Sequence, residues 1–376
     1  MHPFYNTFIY TSDKSMLDSY MNLNLLKNFL IVKADKLQNL VPKIGQSENY
    51  YKFENKSPNK ILIENFVKEI QDYKNIILFS PEEFNYHAES ISYFIDLCLE
   101  NNHKIFIYSF NSNVNDFLEI KFPNQYKKNI LANSAETLFN GRVINWTVKY
   151  NNPNQIKQIN LLFLNYNRKP NRDYILSELN KHKQLEKKDN FISFHNNYTF
   201  SKNAYDKIYE NYFKENNINS EWINNLKLQP EEVDIHNQGD AQYKAQYLHH
   251  NAKFNIICEP FCGMSFDKND YEYYNHVITR KTIYPLLFEN IIYVHSHNGV
   301  LQKTLKNLGF ELFYDNLDEF INNISDDIFY DKLNQEKIIY NKNLLYKYMG
   351  NIENAKTHNK YKTYQKLTQE VVDFIG

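Results

Sequence analysis

Asn75-Ile76-Ile77-Leu78-Phe79-Ser80, followed by a helical pattern opening at Pro81-Glu82-Glu83 and then by Lys104-Ile105-Phe106-Ile107-Tyr108-Ser109-Phe110, decides the fold. The first stretch is apolar without alternation, as expected of a strand buried on both faces. The intervening segment places Ile91, Phe94, Ile95 and Cys98 at helical spacing, and Pro with two acidic residues suits a first helical turn. Strand, helix and strand in that order form one β-α-β unit, because parallel strands can be joined only by a crossover.

The same rhythm runs outward. Between Pro123 and Gln155 lie short strands or loops, including Arg142 to Tyr150, closed by the polar linker Asn151-Asn152-Pro153-Asn154. Gln158 to Asn165 (QINLLFLN) reads as a buried strand, Asn167 to Arg172 as a turn, Asp173 to His182 as a helix and Phe191 to Phe194 as a strand. Residues 201–251 are polar and hold Trp222. From Phe254 the pattern predicts a strand to Glu259, a helix over Thr279 to Phe288 and a strand over Asn290 to Val294. A helix over Asn298 to Leu308 and a short strand over Phe310 to Phe313 follow. The Lys- and Asn-rich tail from Asp326 to Phe374 predicts two helices packing back. A chain of 376 residues suits more than one domain. The expected organisation is residues 1–155 and 156–325 as two Rossmann-like α/β domains, with 326–376 as a helical extension.

Composition narrows the function classes. Hydrophobic residues make up 42% and charged residues 23%, which is not the signature of a disordered chain. The 31 Tyr and 27 Phe accompany abundant Asn and Lys and scarce Gly, a bias that an AT-rich coding genome explains better than a base-stacking surface does. The formal net charge of -1 gives no overall field to draw in a polyanion. Three cysteines, Cys98, Cys258 and Cys262, do not make a disulfide framework and favour a reducing compartment. With no secretory-type start and no run of about 18 apolar residues, a soluble protein in the cytoplasm is expected, in the host cytoplasm if a virus encodes it.

In an open parallel sheet, ligands bind beyond the carboxyl ends of the strands. Three stretches belong there. Asn165-Tyr166-Asn167-Arg168-Lys169-Pro170-Asn171-Arg172 brings Arg168 and Arg172 to a strand end, where guanidinium groups suit a diphosphate; taken alone, the stretch is better read as a solvated basic loop. Strand-ending Glu259 precedes Thr279-Arg280-Lys281, where Thr279 is a fair N-cap and two cations meet the unfavourable end of a helix dipole. An anion bound there would relieve that conflict. Glu259 reads either as an acceptor for ribose or sugar hydroxyls or as a strand-end ion pair. In His295-Ser296-His297-Asn298-Gly299, Asn298 can cap and Gly299 lets backbone approach a ligand. Cys258, Cys262, His276, His295 and His297 show no zinc spacing, so no metal ligands are expected.

Taken together, Ile159 to Tyr314 resembles the fucosyltransferase-like and exostosin-like group of GT-B glycosyltransferases, which includes phage-encoded and bacterial members. The resemblance is carried by Leu164 to Arg172, Phe191-Ile192-Ser193-Phe194, Glu259, Thr279-Arg280-Lys281, Asn290 to Val294, and Leu305-Lys306-Asn307-Leu308-Gly309-Phe310-Glu311-Leu312-Phe313. It implies two Rossmann-like domains facing each other across a cleft, and transfer of a hexosyl or pentosyl group from a nucleotide sugar to an acceptor hydroxyl without a metal or other cofactor. By the resemblance, Arg168 and Lys281 bind the donor diphosphate, and Glu259 and Thr279 lie near the donor ribose or sugar. The chain departs at Arg280, where the family carries Glu.

An inverting reaction needs a base from the first domain, and Glu82, Glu83 and His87 follow the strand that ends at Ser80. A plain helix start is the commoner explanation of the two glutamates. The acceptor is a glycan, a protein or a modified DNA base. Two rivals remain: a viral transferase acting on hydroxylated bases in DNA, with Lys127-Lys128 and Lys181 to Lys188 as a local basic groove, and a non-catalytic module that binds nucleotide or glycan.

Overall fold

The computed structural model describes residues 29–33, 60–80, 89–109, 111, 113–134, 156–165, 170–193, 238–259, 268, 273–274, 276, 278–296, 298–349 and 369–375. It is an α/β structure with two parallel four-stranded sheets. The chain divides into two compact units, one of Met1–Ile144, Ser265–Val277 and Met349–Gly376, the other of Asn145–Met264 and Ile278–Tyr348.

In the first unit the strands β1 (Phe29–Lys33), β2 (Asn75–Ser80), β3 (Lys104–Ser109) and β4 (Ile130–Ala132) lie side by side in chain order. Helices α1 (Lys60–Glu69), α2 (Glu89–Glu100) and α3 (Val114–Lys121) make the crossovers. Successive crossovers of one hand that step in one direction must all lie on one face. Accordingly Ile63, Phe66, Phe94, Ile95, Cys98, Phe117 and Leu118 share a core with Ile76, Leu78, Ile105 and Ile107. The alternate residues Ile77, Phe79 and Phe106 are buried as well. Residues 369–375, which are helical, contribute to that burial, with Phe374 against the Phe106 ring and its carbonyl accepting from Lys104 Nζ. Both faces are covered, which is why β2 and β3 read as unbroken apolar runs.

The second unit is wound differently. Strands β5 (Ile159–Leu164), β6 (Phe191–Ser193), β7 (Ala252–Cys258) and β8 (Ile291–His295) stand in the order β6-β5-β7-β8. The crossover through α4 (Pro170–Lys181) steps one way from β5. The crossover through α6 (Arg280–Leu287) steps the other way from β7, with α5 (Gln238–Asn251) leading into β7. A reversal of direction at constant hand moves the helices to opposite faces. Leu176 and Leu179 of α4 pack with Leu161, Phe163, Phe254 and Ile256, together with Leu317 and Phe320 of α8 (Leu317–Asn322). Leu248 of α5 packs with Leu162 on the other face. Helices α7 (Val300–Asn307), α9 (Asp326–Phe329) and α10 (Lys332–Met349) complete the described part of this unit.

Two sequence expectations change. Helix α4 begins at Pro170 and not at Asp173, so Arg172 lies in its first turn; proline at the first helical position leaves no amide unsatisfied there. Phe310 to Phe313 is not a strand. Its backbone is held by a side chain: Glu311 N donates to Asn341 Oδ1 and Asn341 Nδ2 donates to Glu311 O, both from α10. The expected helix start at Pro81 to Glu83, the Arg142 to Tyr150 segment and Trp222 lie outside the described residues.

At the amino edge of the second sheet, Lys157 gathers three chain segments. Its ammonium donates to His250 O, Ala252 O and Phe288 O at 3.2, 2.8 and 2.7 Å, joining the end of α5, the start of β7 and the end of α6. Burial pulls its proton affinity down to about 7 from 10.5, with Glu289 opposing and Lys342 assisting. Between those two values the unfolded chain keeps this proton while the folded chain gives it up, so raising the pH through that window favours folding. Urea unfolding at pH 7, 8 and 9 therefore shows the native protein gaining stability relative to Lys157→Met as the pH rises. A constant difference between the two would disprove the assignment.

Candidate functional site

Among the described residues, the first sheet runs in chain order without reversal, whereas the second reverses between β5 and β7. The chain leaves β5 toward β6 and leaves β7 toward β8, so the connections part and a crevice opens outside the carboxyl ends of these two strands. The side chains at that edge were assembled from four places in the sequence.

At the end of β7, Glu259 is fully buried. Its Oε1 accepts from Thr279 N at 2.8 Å and Thr282 Oγ1 at 2.5 Å, and its Oε2 accepts from Thr279 Oγ1 at 2.6 Å. Thr279 is the N-cap of α6, accepting at Oγ1 from Lys281 N at 3.2 Å. The carboxylate therefore fixes the entry of α6 to the end of β7 and supplies an anion at the positive end of the helix dipole. This is the protein's own answer to the electrostatic conflict read from Thr279-Arg280-Lys281. Two cations still stand against one carboxylate. Lys281 Nζ reaches across to donate to Leu164 O at the end of β5, 3.1 Å away. Arg280 is half-buried in the first turn, with no hydrogen bond or ion pair to its guanidinium among the described residues.

At the end of β5, Asn165 is tied through its backbone to β6: its N donates to Ser193 Oγ at 3.1 Å, and Ser193 Oγ lies 3.4 Å from its carbonyl oxygen. Its side chain is only 3% exposed, yet among the described residues neither Oδ1 nor Nδ2 has a hydrogen-bond partner. A buried amide without partners is costly, on the order of 1–3 kcal/mol per group, and calls for an explanation at the carboxyl edge of the sheet. Arg168 lies outside the described residues, and Arg172 is buried beside Asp173 in the first turn of α4.

The third stretch is shaped by local bonds. Val300 N donates to Asn298 Oδ1 at 3.1 Å, and Leu301 N donates to Ser296 Oγ at 3.2 Å, which caps α7. Gly299 has φ +71°, while a Cβ placed there would meet nothing within 4 Å. Its glycine is thus demanded by the left-handed backbone rather than by a close neighbour. His295 is buried, its ring stacked on Tyr174 of α4 with centroids 5.4 Å apart. Behind α6, His249 is sealed from solvent; burial first, then the charges of Lys281, Lys157 and Arg280, push its proton affinity down to about 3, so it stays neutral against Asn255.

Of the first-unit base candidates, Glu82, Glu83 and His87 all lie outside the described residues. What the sequence reading missed in that unit is a polar network beyond β3 and β4. Asn133 Oδ1 accepts from Ser109 N at 2.7 Å, and Asn111 Oδ1 accepts from Asn113 N at 3.0 Å and His276 N at 3.4 Å. Glu370 accepts from Ser134 Oγ at 2.6 Å and Ser134 N at 3.2 Å. The density of Asn over residues 111–115 was the available signal, since Asn side chains satisfy turn backbone. Both basic stretches weighed for nucleic acid, Lys127-Lys128 and Lys181 to Lys188, immediately precede a strand, β4 and β6 respectively. In parallel sheets that puts each at the amino edge of its own sheet, and for Lys181 to Lys188 this is the edge opposite the crevice.

Comparison of the chain with protein-family models, with characterised proteins and with solved structures gave no match.

Removing the Glu259 carboxylate leaves three donors without their acceptor. Glu259→Ala accordingly destabilises the protein by about 3 kcal/mol in denaturant unfolding, at roughly 1 kcal/mol or more per stranded group. A change below about 0.5 kcal/mol would show that this clamp does not hold α6.

Proposed function

We propose that the second unit binds a nucleotide sugar in the crevice between β5 and β7, and that the protein is a GT-B-type glycosyltransferase moving the sugar to an acceptor hydroxyl. The observation that supports this reading is the company kept at one strand edge: Lys281, the start of α6, and, without partners among the described residues, the Arg280 guanidinium and the buried Asn165 amide. Cations and helix-start amides suit a pyrophosphate. An amide offering one acceptor and two donors suits the hydroxyls or base of a nucleoside.

The chemistry follows from those groups. As the sugar leaves, negative charge grows on the departing nucleoside diphosphate, and fixed positive charge already in place lowers the barrier without reorganising. The family resemblance assigns Arg168, which lies outside the described residues, to the same diphosphate. For an inverting transfer the sequence offers Glu82, Glu83 and His87 as candidate bases; all three lie outside the described residues. Glu259 acts on the donor indirectly, by positioning α6, because three of its hydrogen bonds go to Thr279 and Thr282.

Calorimetric titration with a panel of nucleoside diphosphates and their sugars tests this. One member binds, and Arg280→Ala and Lys281→Ala each weaken it at least about tenfold, equivalent to about 1.4 kcal/mol, with an unchanged circular-dichroism spectrum. Equal affinity in both variants, or no binding across the panel, would remove the assignment. Binding without donor hydrolysis or transfer would instead favour a non-catalytic nucleotide-binding module.

A further inference from the structure

A second cluster lies in the last turns of α4, away from the crevice. Glu178 and His182 are four residues apart and therefore occupy one face of the helix, a turn from each other. Asp318 comes to them from the first turn of α8. One ligand atom from each of the three lies within 4.8 Å of the others. His182 Nε2 stands 3.3 Å from Asp318 Oδ1, close to the roughly 3.4 Å edge of a tetrahedron whose arms are about 2.1 Å, the length of zinc bonds to imidazole and carboxylate.

We propose that Glu178, His182 and Asp318 form a binding site for a divalent transition ion of the zinc class, pinning α8 to α4. One imidazole nitrogen with carboxylate oxygens is a zinc-type donor set, whereas calcium and magnesium favour oxygen alone. Three protein ligands leave a fourth position for water. The site is preorganised by what lies beneath it: Leu176, Leu179, Leu317 and Ile321 are buried together, so the two helices are held in place before any ion arrives. Glu178 is 9% exposed at its side chain, and in the ion-free protein its Oε1 accepts from Lys181 Nζ at 2.5 Å. Lys181 is 60% exposed and can swing into solvent when an ion takes its place.

The cluster is distinct from the crevice. Glu178 sits about 12 Å along α4 from Pro170, at 1.5 Å per residue, toward the end that leads into the amino edge of β6. An ion here braces the helix layer and takes no part in chemistry at the carboxyl edge. No local pattern announces it, because Asp318 is 136 residues from His182.

Zinc and cobalt(II) titrations of the intact protein test the site. Zinc binds at one equivalent in the micromolar range and raises the melting temperature, as any ligand of the folded state must, and cobalt(II) gives the visible bands of a four-coordinate ion. Asp318→Asn, at a side chain 67% exposed and therefore harmless to folding, weakens zinc at least tenfold, as does His182→Ala. Lys181→Ala, which removes the competing cation, tightens it. Absence of saturable zinc binding, or affinity unchanged in both Asp318→Asn and His182→Ala, overturns the proposal.

Discussion

The buried carboxylate of Glu259 is the interaction on which the second unit turns. It closes β7 and, twenty residues later in the chain, receives one amide and two hydroxyls from the start of α6. The direction of α6 determines where Arg280 and Lys281 stand, and Lys281 in turn reaches β5. A charge this deep in a protein is tolerable only when its lone pairs are occupied and a helix dipole faces it. Both conditions are met, so the carboxylate becomes a hinge pin between the two strands where the sheet reverses.

That reversal separates the two units. Both sheets are parallel, yet the first steps steadily across and collects α1, α2 and α3 on one face, while the second distributes its helices between both. Only the second arrangement opens a crevice by topology alone. The first unit instead fills the carboxyl edge of β3 and β4 with asparagine and serine side chains bonded to backbone.

Much of this was legible because parallel strands buried on both faces leave an unmistakable sequence trace. Asn75 to Ser80 was located to the residue, and Gln158 to Asn165 to within one at each end. Phe29–Lys33 was missed: five residues carry too little periodicity to distinguish a strand from a helical fragment. The false strand at Phe310 to Phe313 had strand-like residues, but its pairing partner is the Asn341 side chain, which no local pattern announces. Thr279 as a cap and Glu259 as a strand-ending carboxylate were readable, since caps and strand ends have residue preferences. That the two bind each other was not, because spacing in sequence does not give direction in space.

The first unit is assembled from three separated parts of the chain, and its last part, the helical residues 369–375, lies against β3 through Phe374 and anchors Ser134 through Glu370, 236 residues away. On a ribosome, β3 emerges early and waits for almost the whole remaining polypeptide before the contact between Phe106 and Phe374 can form. The second unit has no such dependence on residues beyond Tyr348. Order of synthesis and order of completion are therefore reversed: the strands made first receive their last described packing contact only after every residue of the second unit has been added.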